Sequence, residues 1–169
     1  MSQTPESPTI HEAACELAPT QQHLARLLVQ GAARLDARVL HFMVMDPRVP
    51  LGWSRHAMRA GLAAGVLHLA RHLGTHEARS VELARRAGLS KQAMGMVVTE
   101  AERWGLVVRR TDPVDARAML VGWTPMGLEW LHAYWQAVQR AEAEFASQVG
   151  HDVAAVTRLA LEVYSAGGP

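Results

Sequence analysis

A chain of 169 residues, 49% of them hydrophobic and with a formal net charge of +1, is long enough for one packed domain and a modest appended element. It holds no apolar run long enough to span a bilayer, and its single cysteine, Cys15, excludes an intrachain disulfide framework. The near-neutral balance also excludes a generally basic nucleic-acid coat, so a charged partner has to be met by a local patch.

The first residues, MSQTPESPTI, lack a basic-then-apolar signal pattern, and a cytoplasmic location is expected. Residues 1–18 are polar and contain proline, which predicts a loose arm, with residues 19–169 as a single domain. Leu24, Leu27, Leu28, Leu35, Val39 and Phe42 recur at helical spacing, predicting a helix from about Thr20 to Met45 that Asp46, Pro47 and Pro50 interrupt. Ser54 is a candidate cap for a second helix reaching about Leu73, with Met58, Leu62, Val66, Leu69 and Leu73 on one stripe and Gly74 at its end. Ser80 is read as the cap of a short helix holding Val81, Leu83, Ala84 and Ala87, and Gly88 as the turn after it. Ser90 then caps a helix to about Trp104, closed by Gly105. Leu106 to Arg110 and Ala118 to Trp123 are strand candidates around Thr111-Asp112-Pro113, which is turn chemistry. Thr124-Pro125 predicts an N-cap with proline at the first helical position. The long helix that follows carries Leu128, Leu131, Trp135, Val138, Glu142 and Phe145 at near-heptad spacing and stops at Gly150. A last helix, Asp152 to about Ser165, carries Val153, Val156, Leu159, Ala160 and Val163. The fold class expected is mainly α with a small β-wing, a winged helix-turn-helix.

That element order suits DNA. Between Arg85 and Arg117 seven bases stand against four acids, a local balance of +3, and the only lysine, Lys91, is among them. On a wheel of about 100° per residue, Ala93, Val97, Ala101 and Trp104 fall inward. Lys91, Gln92, Gly95, Met96, Thr99 and Arg103 fall on the opposite arc, the arrangement of a helix entering the major groove. Gln92 suits adenine, Thr99 a base or phosphate, and Met96 a thymine methyl, while Gly95 permits close approach. Ser90 and Lys91 sit at the helix N-terminus, where phosphate is favoured. Arg109, Arg110 and Arg117 are placed by the hairpin to enter or flank the minor groove, and Asp115 to pair with an arginine and hold the wing. Arg103 alone reads as a solvated charge.

The segment LARRAGLSKQAMGMVVTEAERWGLVVRRTDPVDARAMLVGWTPMG resembles the MarR-type transcriptional regulators. Its most specific parts are Gly88-Leu89-Ser90-Lys91-Gln92, Gly105-Leu106-Val107, Arg109-Arg110-Thr111-Asp112-Pro113, Asp115-x-Arg117 and Thr124-Pro125-x-Gly127, about a quarter of the chain. The resemblance implies a homodimer, with N- and C-terminal dimerisation helices at 20–45 and 124–165. It implies a DNA-binding module at 54–123, reading double-stranded DNA at a palindromic operator. It further implies repression, less often activation, relieved by a small, often aromatic acid or phenolic effector. Two positions depart from the family pattern: Gly95-Met96 stands where a polar residue and an arginine are common, and Ala116 where a second arginine is common.

In such dimers the effector lies between the dimerisation helices and the DNA-reading module. The candidate lining is Trp53, Arg55, His56 and Arg59; the plainer reading has Trp53 packing at a helix start and Arg59 solvated. His68, His72 and His76 are spaced by four, but Gly74 breaks the helix before His76, so ordinary histidines are favoured over a metal site. Cys15 has Glu16 and no cation beside it, which fits an incidental thiol better than a peroxide sensor. No cofactor and no catalytic constellation are expected. The rival class is a winged-helix protein-interaction module, which the missing charge at Met96 and Ala116 favours.

Overall fold

The computed structural model describes residues 23–50, 52–53 and 62–167, and the chain divides into two compact units, residues 1–34 and 35–169. The expectations for the arm at 1–18, Cys15, the Ser54 cap, Arg55, His56, Met58 and Arg59 lie outside the described residues.

Helix α1 spans Leu24–Val44. In the first unit its residues Leu24, Leu27, Leu28 and Val29 are exposed. In the second unit Val39 and Met43 are fully buried, with Leu35, Leu40 and Phe42 packed on the core beside them. After α1 the chain turns on Asp46, whose carboxylate accepts the backbone amide and the guanidinium of Arg48. Arg48 in turn donates to Gln136 at 2.7 Å, fastening this loop to the long helix described below.

Helix α2, Leu62–His72, packs against the DNA-reading candidate, and its Val66, Leu67, Leu69 and Ala70 are buried, a wider face than the single predicted stripe. Gly74, at φ +64°, turns the chain out. A strand absent from the sequence reading, β1, follows at Ala78–Arg79. Two residues are too few to show alternation. The strand also moves a helix start. The N-cap of α3, Ser80–Arg86, is Arg79 with no side-chain cap bond, so Ser80 is the first helical residue and not the cap. Strand pairing already holds Arg79 extended, which is the backbone state a cap position requires.

The turn from α3 into α4, Lys91–Arg103, obeys local chemistry. Gly88 has φ +64°, Leu89 N–H donates to Ala84 O and Gly88 N–H to Arg85 O, which is a Schellman motif. The same pair of bonds closes α4 around Gly105: Leu106 N–H to Ala101 O and Gly105 N–H to Glu102 O. Ser90 Oγ accepts Ala93 N–H at 3.1 Å, as a cap should.

Strands β2, Val107–Thr111, and β3, Met119–Trp123, form the wing, and the sheet order is β1-β3-β2, all antiparallel. The register pairs Val107 with Trp123, Arg109 with Val121 and Thr111 with Met119. Val107 and Val121 are buried, so the face they share is the inner one. Arg109 shares that face, whereas Arg110 points to the other side.

Helix α5, Pro125–Val149, starts at Thr124, whose hydroxyl accepts Gly127 N–H and donates to Gly105 O. Its buried stripe is Gly127, Trp130, Leu131, Ala133, Tyr134, Ala137 and Ala141. Of the predicted heptad seam only Leu131 lies in this stripe; Leu128 and Trp135 are about half exposed, 49% and 50%. Ala137 and Ala141 are buried, and the buried stripe is turned by one position from the expected seam. Trp130 is the centre of an aromatic stack, 5.5 Å from Trp53, 6.0 Å from Trp123 and 6.0 Å from Tyr134 between ring centroids. Helix α6, His151–Ala166, has no buried residue; Val153, Val156, Leu159, Val163 and Tyr164 are exposed. Among the described residues no helix is long and apolar enough to cross a membrane.

Candidate nucleic-acid interface

Local chemistry and burial together set the face of α4. The cap at Ser90 and the motif at Gly88 fix where the helix begins, and burial of Met94, Val97, Val98 and Ala101 fixes its rotation. Met94 and Val98 were not among the residues expected inward; they widen the buried face rather than move it. Lys91, Gln92, Met96, Thr99 and Arg103 are exposed, and Gly95 lies between them. A methyl group at Gly95 would meet nothing within 4 Å, so internal packing does not call for glycine there. In a helix interior glycine costs about 1 kcal/mol relative to alanine, so the fold gains nothing from glycine there. Gly95→Ala is therefore expected to raise thermal stability slightly, by roughly 0.4–1 kcal/mol, while weakening binding of specific DNA. Unchanged affinity in a titration of labelled duplex would remove Gly95 from the contact surface.

The cations differ sharply in what holds them. Glu82 accepts Arg85 and Arg86, which together hold its carboxyl down at about 2, so these two bases are occupied along α3. Arg103 stands 4.0 Å from Glu100 and Arg110 3.5 Å from Glu77, both loosely held. Lys91 and Arg117 have no carboxylate partner among the described residues, and both are exposed. Ser90 uses its oxygen on the cap and keeps its proton to donate.

Arg109 behaves otherwise. It folds back from β2 onto α4, with Nη1 2.8 Å from Glu102 Oε2, and Nη2 2.9 Å from Thr99 Oγ1 and 3.2 Å from Gly95 O. Thr99 Oγ1 also donates to Gly95 O at 2.8 Å. The threonine hydroxyl thus gives its proton to one partner and takes one from another, within the protein.

The acid that anchors the wing is Asp112, which sequence reasoning passed over for Asp115. Asp112 is 6% exposed; its Oδ1 accepts Val114 N–H at 2.8 Å and its Oδ2 accepts Arg79 Nε–H at 2.7 Å. The Val114 amide, and then the Arg79 guanidinium, hold its carboxyl below the usual carboxylate range. Asp115 has a lesser part, accepting Arg117 N–H at 3.1 Å and standing 4.0 Å from Arg79. The missed signal was the position of Asp112 two residues before Val114, the spacing of an Asx-turn.

Trp53 is 1% exposed and meets Trp130 edge-on, so the structure places it in the core, as the plainer reading had it. His68 and His72 stack with centroids 6.3 Å apart, and burial pushes both imidazoles down. His76 is exposed in the loop beyond Gly74, and no group of three metal-binding side chains occurs among the described residues.

A family model described as the MarR family matches residues 61–118. A Thauera aromatica protein described as a transcriptional regulatory protein for the hcr operon is 30% identical over 110 residues, 54% of this chain and 66% of its own length. Among solved structures, the transcriptional repressor CouR bound to a 23-mer DNA duplex superposes with a TM-score of 0.66 at 19% identity, covering 88% of this chain and 96% of its own. Apo MarR from E. coli gives 0.63 at 20% identity, covering 83% and 96%. PcaV from Streptomyces coelicolor, in complex with its natural ligand, gives 0.57 at 23% identity, covering 89% and 95%. These likenesses in structure establish the winged-helix fold.

Proposed function

The chain belongs to the MarR family, and from that premise we propose that it is a homodimeric transcriptional repressor, released from a palindromic operator by a small aromatic or phenolic ligand. The observation that carries the DNA-binding part is the outward face of α4 together with the wing tip. Lys91, Gln92, Gly95 and Met96 face outward, and Arg117, with no carboxylate partner among the described residues, stands on the wing. Electrostatic attraction to phosphate brings the protein to DNA, and base edges met by Gln92 and Met96 select the site. The missing charge at Met96 and Ala116 moves a share of recognition from phosphate to base contact.

Pairing of two copies is supported by apolar surface that this chain alone leaves in water. Helix α6 buries none of its residues, yet carries Val153, Val156, Leu159 and Val163. Leu24, Leu27 and Leu28 on α1 and Leu128 and Trp135 on α5 are likewise exposed. Helices of this length are marginal in water without a packed face, so a second copy supplies what they lack. Two recognition helices about one DNA turn (~34 Å) apart then define the half-site spacing. An effector acts by binding one spacing of the pair more tightly than the other. The assignment of Arg55, His56 and Arg59 to the effector rests on the resemblance alone.

The test is selection of bound fragments from the host genome with the full-length protein, followed by sizing of the complex. A shared palindrome with two protomers per site is expected. Retention of fragments without a common sequence would favour a protein-interaction module.

A further inference from the structure

Arg109 lies in the wing, where an arginine is readily taken for a DNA ligand, but the geometry points to a different role. We propose that Arg109 is a positioning residue that locks the wing to the recognition helix and does not itself touch DNA. The inference rests on the DNA-binding reading for its consequence, and on the protein's own contacts for its mechanism.

Strand alternation places Arg109 on the inner face of the sheet with Val107 and Val121. From there the guanidinium reaches three acceptors on successive turns of α4: Gly95 O, Thr99 Oγ1 and Glu102 Oε2. Glu102 completes the clasp with its other oxygen, which accepts the backbone N–H of Arg109 at 3.1 Å. One carboxylate therefore holds both the main chain and the side chain of the same strand residue. The planar guanidinium satisfies several acceptors at fixed angles, which an ammonium group cannot copy. Its side chain is 28% exposed, against 67% for Arg110. The clasp sets the angle between the helix that enters one groove and the hairpin that reaches the next. It also occupies the Thr99 hydroxyl, which leaves Gln92 and Met96 as the side chains on that arc free to meet bases.

The two roles predict opposite results for Glu102. If Arg109 were a DNA ligand, Glu102→Gln would release it and tighten binding. As a clasp, Glu102→Gln loosens binding, and so does Arg109→Ala. The experiment measures operator affinity against salt concentration for the wild-type chain, Arg109→Ala, Arg109→Lys, Glu102→Gln and the Arg109→Ala/Glu102→Gln pair.

The expected result is a loss of roughly tenfold in each single variant, no further loss in the double variant, and an unchanged salt slope. Arg109→Lys should fail to rescue. Overturning results are tighter binding by Glu102→Gln, rescue by lysine, or a slope shallower by about 1 for each Arg109 lost. Amide hydrogen exchange of the wing, measured without DNA, tests the clasp separately. Faster exchange in β2 and β3 in both single variants, with α5 unchanged, supports it, and exchange equal to wild type overturns it. Absence of specific binding by the wild-type chain would sink the DNA reading and leave the exchange result to decide the clasp.

Discussion

Replacing Gly127 by alanine is expected to destabilise the protein by about 3 kcal/mol or more, a large share of the roughly 5–15 kcal/mol that holds a domain of this size together. A Cβ built there falls 1.8 Å from Leu106 O, 2.8 Å from Leu106 C and 3.0 Å from Trp123 Cε3. Two of the three neighbours are main chain, so no rotamer change relieves the clash. Leu106 O is itself fixed, since it accepts Thr124 N–H at 3.0 Å, and the Thr124 hydroxyl donates to Gly105 O at 2.6 Å. The start of α5 is thus pressed against the corner that ends α4. Urea unfolding should show the loss, and specific DNA binding should fall with it because that corner sets the recognition helix. A midpoint unchanged from wild type would show that α5 meets this corner differently. Gly95→Ala is the internal control, the same chemical change where a Cβ meets nothing.

Arg117→Ala should produce the largest loss of DNA affinity among the wing variants, because its guanidinium is exposed and has no carboxylate partner among the described residues. The loss should be uniform across sequences and should make the salt slope shallower by about 1 for each phosphate contact removed. Gln92→Ala should behave in the opposite sense. Its cost, about 1–3 kcal/mol, should fall on one base pair of the operator and leave the slope in place. Fluorescence anisotropy on the operator and on single-base variants, at several salt concentrations, separates the two. Equal, sequence-independent losses in both variants would overturn the division between wing and helix.

The two arginines that adjoin in sequence, Arg109 and Arg110, show where reading from sequence stops. The hairpin suggests the minor groove for both, yet neighbours on a strand face opposite ways, so only one of the two can lie on the outer face of the sheet. Alternation was legible; which face was inner depended on Val107 and Val121 meeting the helices. Asp112 and Asp115 pose the same problem. Both sit in the hairpin, but Asp112 is the one that hydrogen-bonds Arg79, at 2.7 Å against 4.0 Å for Asp115, and Arg79 comes from a two-residue strand with no pattern of its own. Trp53, a candidate to line an effector site, is core because Trp130 lies across 5.5 Å of space, although 77 positions further along the chain.

Apart from the start of α3, the ends of helices α3 to α5 are the part that the chain determines by itself. Ser90, Thr124, Gly88, Gly105 and Gly150 act on groups within a few residues of themselves, through a hydroxyl on a nearby amide or a positive φ. Such bonds do not depend on the rest of the molecule. Tertiary structure alone decided which of several like charges are free to meet a partner. Arg79 and Arg109 are held by residues 33 and 10 positions away, while Lys91 and Arg117 have no carboxylate partner among the described residues. An arginine carries the same charge everywhere in a sequence, but only folding brings an acceptor to it, and that acceptor decides whether the charge is structure or surface.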